Sequence, residues 1–339
     1  MRRLTVFAAA FAACLALVCG SAIAQALEKS KVTVGVGGKT LFYYLPLTIA
    51  EQKGYFKDEG LEVEVLDFPG GARSLQALLG GSVDIVSGAY EHTITQQAKG
   101  QNIEAVFLQG KYAAMVLLMS KAKAAQYKSP ADLKGMKIGV TAPGSSTNMF
   151  VNILLAKVAL QPDTVSIIGA GATAGAVAIM QRGELDALVN LDPVISQLEA
   201  SGFTAVIDTR TAKGMQEVYG GAYAAGCIYL PVEFPKKYPN TTQAFVNAMM
   251  RALRFIQTST PDQIVASVPA EYYTDKALYN AALEKNMESF KHDGTISMEA
   301  AQNVHRDLKS FDAGVQSATV DLAKTFDMSF AQKAAQKFK

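Results

Sequence analysis

Cysteine and histidine are scarce in this chain, and each scarcity excludes a class of chemistry. Two of the three cysteines, Cys14 and Cys19, lie within the first 24 residues, and the third is Cys227. A lone cysteine in an apolar run cannot form an internal disulfide and is predicted to be a buried small hydrophobe. The three histidines are far apart in the sequence and show no metal-ligand spacing. Stability is therefore expected to come from packing.

An excess of charge of either sign is also missing. The 339 residues include 32 Lys and Arg and 30 Asp and Glu, and two of the basic residues, Arg2 and Arg3, lie at the N-terminus. Residues 25–339 therefore carry no formal net charge, which gives no indication of nucleic acid as a partner. Half of all residues are hydrophobic, which is enough to bury the cores of one large or two medium globular domains.

Motifs of hydrolytic enzymes are missing as well. The sequence has no G-x-S-x-G, no H-E-x-x-H and no evident acid–base pair. His92, beside Glu91 after a predicted strand, either contacts a ligand or caps the following helix. We therefore expect a protein that is not an enzyme and that has no catalytic residue, metal or cofactor.

The first 24 residues have the pattern of a secretory signal peptide. Arg2 and Arg3 precede an uncharged apolar stretch over residues 4–19, and the small residues Ala22 and Ala24 follow at the −3 and −1 positions of a cleavage site. A retained membrane anchor is the weaker alternative, because the apolar stretch is shorter than the ~20 residues that a spanning helix needs. We predict export and cleavage after Ala24.

An internal duplication organises the rest of the chain. The stretches GSVDIV (residues 81–86) and GELDAL (183–188) read alike, and each follows a predicted strand, a glycine turn and a helix. Strands that alternate with helices imply crossover units and a mainly parallel sheet. Two copies imply two sheets in two lobes, with a ligand in the crevice between them.

Each lobe is predicted to open with a strand, over Lys31–Val36 and Lys137–Val140. The remainder of the chain has a different pattern. Residues 240–339 show helical periodicity with almost no strand pattern, and we expect this tail to pack on the first lobe.

Two helix starts offer backbone N–H groups to a ligand. Ser145, Ser146 and Thr147 precede a helix, which predicts either a cradle for an anion or an ordinary N-cap. The sequence GAGATA (residues 169–174) satisfies the dinucleotide fingerprint G-x-G-x-x-A, but a tight turn that exposes N–H groups is the better interpretation in an exported protein.

Tyrosines gather where the loops of the crevice are predicted. Aromatic walls suit an organic solute, but tyrosines are also common in protein cores, so we expect about two of them to reach the ligand. The six are Tyr43, Tyr44, Tyr90, Tyr112, Tyr219 and Tyr223.

Several spaced motifs together resemble one family. They are GYFKDEGLEV (54–63), G-x-V-D (81–84), S-P-x-D-L-K-G (129–135) and G-x-L-D-A (183–187). They resemble periplasmic binding proteins for nitrate, sulfonates and taurine, a group that includes the thiamine-pyrimidine synthases. The resemblance extends over nearly all of the chain after residue 24. The sequence departs from the family pattern in two ways. It lacks the cysteine-rich motif of the eukaryotic synthases, and it has Leu191 where an aromatic residue is usual.

The resemblance implies an α/β, two-lobed type II periplasmic-binding-protein fold, with two parallel-rich sheets, a double hinge and a helical C-terminal tail. The hinges fall near residues 109–113 and 219–226. Lobe 1 is then residues 25–112 plus 221–339, and lobe 2 is residues 113–220.

The resemblance also implies a function in import. A periplasmic monomer of this kind delivers a small solute to the permease subunits of an ABC importer, and closure about the hinges signals loading. We expect an anionic or zwitterionic organic solute. Lys39, Arg73 and Lys111 are candidate cations for it, although a solvated surface position is the stronger alternative for each. The alternatives are binding of a pyrimidine precursor, a synthase-like enzyme on the same scaffold and a sensor domain.

Ligand contacts are carried over from the family by position, together with tyrosines and hydroxyls identified above. The predicted ligand-binding residues are Lys39, Thr40, Tyr43, Tyr44, Gly71, Ser87, Tyr90, Glu91, Tyr112, Ser145, Ser146, Thr147, Gly171, Thr173, Asn190 and Asp192.

Overall fold

The computed structural model describes residues 26–338. The signal peptide predicted over residues 1–24, with cleavage after Ala24, lies outside the described residues. Within the described part of the chain, no helix is long and apolar enough to cross a bilayer.

Ten strands and sixteen α-helices occur among the described residues. The strands are β1 (Lys31–Val36), β2 (Glu62–Asp67), β3 (Ile85–Ala89), β4 (Ile103–Gly110), β5 (Val116–Ser120), β6 (Lys137–Val140), β7 (Ser166–Gly169), β8 (Ala187–Asn190), β9 (Phe203–Asp208) and β10 (Gly226–Pro231). The helices are α1 (Leu45–Gln52), α2 (Tyr55–Asp58), α3 (Gly71–Leu79), α4 (Glu91–Ala98), α5 (Lys121–Ala124), α6 (Ser146–Ala156), α7 (Ala174–Gln181), α8 (Val194–Ala200), α9 (Ala212–Tyr219), α10 (Glu233–Lys237), α11 (Pro239–Thr258), α12 (Pro261–Val265), α13 (Lys276–Asn286), α14 (Met298–Lys309), α15 (Ala313–Ser317) and α16 (Ser329–Lys337). Short 3-10 helices cover Phe42–Tyr44, Pro130–Leu133, Pro162–Thr164, Ala270–Tyr272, Met287–Phe290 and Leu322–Lys324.

The strands form two five-stranded sheets of the same topology. The first has the order β2-β1-β3-β10-β4 and the second β7-β6-β8-β5-β9. In each sheet the first three strands are parallel, and the fourth, β10 or β5, runs antiparallel to both neighbours. The identical order confirms the internal duplication. We use lobe 1 and lobe 2 for the parts of the chain around the first and second sheets.

The repeated aspartate of the duplicated motif has the same structural role in both lobes. Asp84 accepts a hydrogen bond from the backbone N–H of Thr33 at 3.0 Å, and its own N–H donates to the Thr33 carbonyl. Asp186 makes the same two contacts with Lys137, where its carboxylate accepts the N–H at 2.7 Å. Each aspartate therefore fixes the start of the first strand of its lobe against the strand that follows the motif.

The chain crosses between the sheets twice. It leaves the first sheet at Gly110 and enters the second at Val116, and it returns between Asp208 and Gly226. The strand after each crossing, β5 or β10, is the fourth of the five strands in its sheet and runs antiparallel to its neighbours. Each sheet is thus completed by strands that follow a crossing, so two chain segments connect the lobes.

The tail after β10 is helical, as predicted, apart from an isolated bridge between Phe326 and Ala105. Helix α11 buries its apolar face against α1 and β4 of lobe 1. Helix α13, however, also packs on α8 of lobe 2, which the sequence did not predict. The tail therefore touches both lobes. Cys227 is fully buried and unpaired, as expected.

Candidate functional site

A small pocket lies where the two lobes face each other. Loops at the C-terminal ends of β1, β2 and β3 meet those of β6, β7 and β8, so helix starts from both lobes point into the crevice. The enclosed volume is about 10 Å³, about the size that a single water needs, so the lobes are closed on each other. The pocket is lined by Gly37, Leu41, Tyr43, Tyr44, Gly71, Ala89, Thr141, Ser146, Thr147 and Leu191.

The hydroxyls at the start of α6 serve both lobes. Ser145 is buried, and its Oγ accepts a hydrogen bond from the N–H of Ala72, in the first turn of α3, at 2.9 Å. It makes no capping bond to its own helix. Thr147 Oγ1 accepts the N–H of Thr141 at 3.1 Å and lies 2.9 Å from the Thr141 hydroxyl. Ser145 is thus neither an ordinary N-cap nor an unengaged ligand hydroxyl; it caps the helix of the opposite lobe.

Ser146 is the remaining hydroxyl of this group. It is half-buried and lines the pocket. It and Thr147 are the first two residues of α6, whose N–H groups have no acceptor within the helix. The start of α6 can therefore donate backbone hydrogen bonds to an electronegative atom between the lobes.

Two of the six tyrosines expected at the crevice, Tyr43 and Tyr44, line the pocket. Their rings meet edge to face with centroids 5.4 Å apart. Tyr112 lies on the first crossing and lines an adjoining cavity of about 10 Å³ with Tyr43 and Phe42. The aromatic lining comes from lobe 1 and the first crossing.

The other three tyrosines are buried. Tyr90 Oη lies 2.5 Å from Thr325 Oγ1, inside lobe 1. Tyr219 and Tyr223, at the second crossing, have ring centroids 4.0 Å apart, and the hydroxyl of Tyr223 donates to Glu91 Oε1 at 3.3 Å. The hydrogen bond of Tyr223 therefore ties the second crossing to Glu91, just after β3.

Glu91 is the buried acid of the crevice. The residue is only 2% exposed. Its second carboxylate oxygen, Oε2, has no hydrogen-bond partner among the described residues. The same is true of Tyr43 Oη. Burial raises the pKa of Glu91 to about 7, so this carboxyl is half ionised near neutrality.

His92 bridges the lobes. Its Nδ1 lies 3.1 Å from Tyr229 Oη, and its Nε2 lies 3.4 Å from the carbonyl oxygen of Gly144 in lobe 2. Burial lowers the pKa of His92 to about 4, so the ring is neutral at physiological pH. The side chain therefore contributes hydrogen bonds between the lobes and no positive charge.

The three candidate cations are engaged outside the pocket. Lys39 pairs with Glu51 at 3.0 Å, and Lys111 pairs with Glu288 at 3.0 Å. Arg73 bonds a neighbouring glutamine on the exposed side of α3. None of the three lines the pocket, whose lining residues carry no charged side chain.

Glycines allow the lobes to approach at two points. A Cβ added at Gly38, where φ is +111°, would lie 2.3 Å from the Cβ of Ala172 in lobe 2. A Cβ added at Gly70, where φ is +112°, would lie 2.7 Å from that of Ala142. Only glycine accommodates both the positive φ and the contact.

The remaining predicted residues have structural partners or lie at the rim. Ser87 is fully buried and donates to Gln109 within lobe 1. Asn190 donates to the Gly171 carbonyl at 3.0 Å and so holds the turn before α7. Thr40 is half-buried and Thr173 is exposed.

Asp192 is the centre of a network between the lobes. It is fully buried and pairs with Arg210 at 3.1 Å. It also accepts a hydrogen bond of 2.7 Å from Asn286 of the tail. Next to it, Glu199 pairs with Lys285 of the tail at 2.8 Å and with Arg210 at 2.8 Å. These contacts hold α13 against lobe 2.

Sequence analysis missed Gly37 and Thr141 in the pocket and Arg210 and Asn286 in the network. Thr141 directly follows β6, so its position after a predicted strand could have identified it as a pocket residue. Asn286 carries no such local signal, since it is 94 residues from Asp192. No group of three side chains suited to hold a metal ion occurs among residues 26–338.

Comparison with solved structures supports the predicted fold. A protein from Bordetella bronchiseptica RB50 is 49% identical, with 93% of this chain and 99% of that chain covered and a TM-score of 0.88. The ligand-binding component of an ABC-type import system from Staphylococcus aureus is 15% identical (90% and 99% covered, TM-score 0.72). The alkanesulfonate-binding protein SsuA from Xanthomonas axonopodis pv. citri, bound to MOPS, is 18% identical (90% and 100% covered, TM-score 0.70). The predicted fold class is confirmed.

Sequence relatives include enzymes. The 4-amino-5-hydroxymethyl-2-methylpyrimidine phosphate synthase THI13 of Saccharomyces cerevisiae is 24% identical over 293 residues, which cover 84% of this chain and 82% of the synthase. The family model of the NMT1-like family matches residues 25–270. Both findings agree with the resemblance carried by the spaced motifs. The chain belongs to the NMT1-like family.

Proposed function

We propose that this protein is an extracytoplasmic solute-binding protein that encloses a small organic solute between its lobes and delivers it to an ABC importer. The observation that carries the proposal is the pocket between the lobes, which is lined by helix starts, hydroxyls and aromatic rings at strand ends of both sheets. Sites of this kind are typical of ligand binding at the carboxyl ends of strands. The periplasm is the proposed location.

Closure is proposed to occur about the two crossings. Lobe 1 then comprises residues 25–112 plus 221–339, lobe 2 comprises residues 113–220, and the protein acts as a monomer. The hydrogen bonds of Ser145 and His92 across the crevice, and the contacts of α13 with lobe 2, would form as the lobes close. A solute that contacts both lobes stabilises this arrangement over an open one.

We further propose that the start of α6 receives the electronegative end of the solute. The backbone N–H groups of Ser146 and Thr147, with the Ser146 hydroxyl, would bind a carboxylate, a sulfonate or a carbonyl oxygen. Lys39 and Lys111 keep their glutamate partners in this arrangement. We therefore propose that the start of α6, and not the lysines, attracts the electronegative end of the solute.

We propose binding without turnover, although the relationship to the pyrimidine phosphate synthases makes an enzyme the second candidate. His92 is neutral and hydrogen-bonded to both lobes, which supports a structural contribution from the one histidine at the crevice. Solute recovered unchanged after prolonged incubation with the protein supports a binding role. Recovery of a converted product would favour the enzyme.

The proposal is tested by a thermal-shift screen of the refolded, solute-free protein. The panel contains sulfonates, carboxylates, nitrate, pyrimidines, amines and aromatic acids, each scored again by native mass spectrometry. A solute at about 100 times its Kd adds about 2.7 kcal/mol to the free energy of unfolding. One chemical class should raise the melting temperature and form a one-to-one complex. Failure of every class would contradict the proposed function.

Replacing Ser145 with alanine should weaken binding of the solute found in that screen by roughly 2- to 10-fold. The closed state then loses one hydrogen bond, the one to Ala72, worth about 0.5–1.5 kcal/mol. Isothermal titration calorimetry measures the change. Ser297→Ala is the matched control, because it removes a similar bond to the N–H of Ala300 at the start of α14. Equal effects of the two substitutions would exclude a contribution of Ser145 to closure.

A further inference from the structure

We propose that Tyr43, Glu91 and Tyr223 form a recognition site for a nitrogen-bound hydrogen donor of the solute, such as an ammonium, an amidinium or a ring amino group. This inference rests on the proposed function, since it assigns a chemical class to the solute held between the lobes. The start of α6 is proposed to bind the electronegative end of the solute, and this site would bind the opposite end.

Two oxygen atoms without partners carry the inference. Glu91 Oε2 and Tyr43 Oη are both buried, and neither has a hydrogen-bond partner among the described residues. Buried polar atoms in native proteins are almost always satisfied, so such atoms need a specific explanation. Tyr43 lines the pocket, and Glu91 follows the pocket residue Ala89 by two positions. A bound group in the crevice is therefore a natural partner for both atoms.

The two side chains are fixed near each other. The Tyr43 ring lies against the backbone of Gly226, where an added Cβ would be 3.3 Å from Tyr43 Cε1. Tyr223 holds the other carboxylate oxygen of Glu91. Burial, and then the nearby Glu91 carboxylate, raise the pKa of Tyr43 well above its usual value. The site is thus preorganised, with Oε2 left for a solute.

The surroundings of Glu91 favour a donor over an acceptor. An ionised carboxylate only accepts hydrogen bonds, so it selects N–H or O–H groups. The titratable groups that act on or respond to Glu91 are neutral or acidic: Tyr43, Tyr219, Tyr223, Cys227, Tyr229 and Asp307. The guanidinium of Arg306 pairs with Asp307 at 2.9 Å. A positively charged nitrogen on the solute would supply the compensating charge that these neighbours lack.

Binding of such a solute should depend on pH with a defined sign. Burial raises the pKa of Glu91 to about 7, and a cationic group beside the carboxylate would lower it again. Binding then releases a proton, so affinity should rise about tenfold between pH 6 and pH 8. An anionic group at the same place would require protonated Glu91, and its affinity would fall over that range.

The experiment uses pairs of compounds that differ by one amino group. Taurine is compared with ethanesulfonate, β-alanine with propionate and 4-aminopyridine with pyridine, by calorimetry at pH 6 and pH 8. Every further compound that binds in the wider screen is likewise compared with an analogue that lacks its amino group. Each compound is measured with the wild type, Glu91→Gln and Tyr43→Phe. Tyr90→Phe is the matched control, since it removes a buried hydroxyl bonded to Thr325 in lobe 1.

We expect binders to carry a nitrogen donor, and the amino member of a pair to bind at least about tenfold more tightly than its partner. Glu91→Gln should abolish that preference and the pH dependence, Tyr43→Phe should reduce it, and Tyr90→Phe should keep both. Because Glu91→Gln removes a buried charge without a cationic partner, the variant should fold as stably as the wild type.

Three results would overturn the inference and leave the proposed function intact. They are binders that lack a nitrogen donor, a nitrogen-bearing binder that Glu91→Gln does not affect, and affinity that falls from pH 6 to pH 8. The second is the result expected if a buried water alone satisfies the two oxygens. If no compound of any class binds, the proposed function fails together with the inference.

Discussion

Replacing Arg210 with methionine should lower the free energy of unfolding by about 3–5 kcal/mol. The guanidinium is almost completely buried and contacts Asp192 at 3.1 Å, Asp208 at 2.6 Å and Glu199 at 2.8 Å. Methionine has a similar volume but leaves the fully buried carboxylate of Asp192 without its charged partner. The loss arises mainly from that uncompensated charge.

Equilibrium denaturation in urea, followed by circular dichroism, measures the change. Arg182→Met is the matched control, because Arg182 pairs with Glu184 where both side chains are more than half exposed. An exposed pair of this kind contributes about 0–1 kcal/mol. Losses of the same small size in both variants would show that the Asp192 network does not stabilise the protein.

Replacing Ala172 with phenylalanine should weaken solute binding by about 10- to 100-fold while the protein remains folded. Ala172 is buried, and its Cβ is so close to Gly38 of lobe 1 that a Cβ added at Gly38 would lie 2.3 Å from it. Overpacking of such a contact costs about 1–3 kcal/mol. In an open arrangement the ring would extend into the crevice, so the cost falls on closure and not on the fold of lobe 2.

Calorimetry with the solute from the screen measures the affinity, and thermal unfolding without solute measures the fold. Ala174→Phe is the matched control, since Ala174 is exposed in the first turn of α7, two residues after Ala172. We expect that variant to bind as the wild type does. Unchanged affinity of Ala172→Phe would mean that solute binds without the approach of Gly38 to Ala172.

The scaffold could be predicted from local patterns. The bounds of β1 and β6 agree with the sequence prediction, because each strand is a short apolar run beside a glycine turn. The duplicated G-x-V-D and G-x-L-D motifs predicted two equivalent lobes, because Asp84 and Asp186 start equivalent strand pairs. Periodicity also predicted a helical tail.

Contacts between distant parts of the chain could not be predicted in this way. Ser145 is predicted from the sequence either to bind an anion or to cap its own helix, but its acceptor role toward Ala72 depends on how the lobes meet. The pairing of Asp192 with Asn286 depends on the return of the tail across the crevice. The raised pKa of Glu91 follows from burial, which the sequence around it does not indicate.

The central claim is that the two lobes close around a solute. Small-angle X-ray scattering of the protein without solute, and then with the solute from the screen at saturation, tests it most directly. We expect the radius of gyration to fall on addition of solute in the wild type, and to fall less in Ala172→Phe at the same solute occupancy. A radius that stays the same while calorimetry shows the wild-type site to be full would contradict closure around the solute.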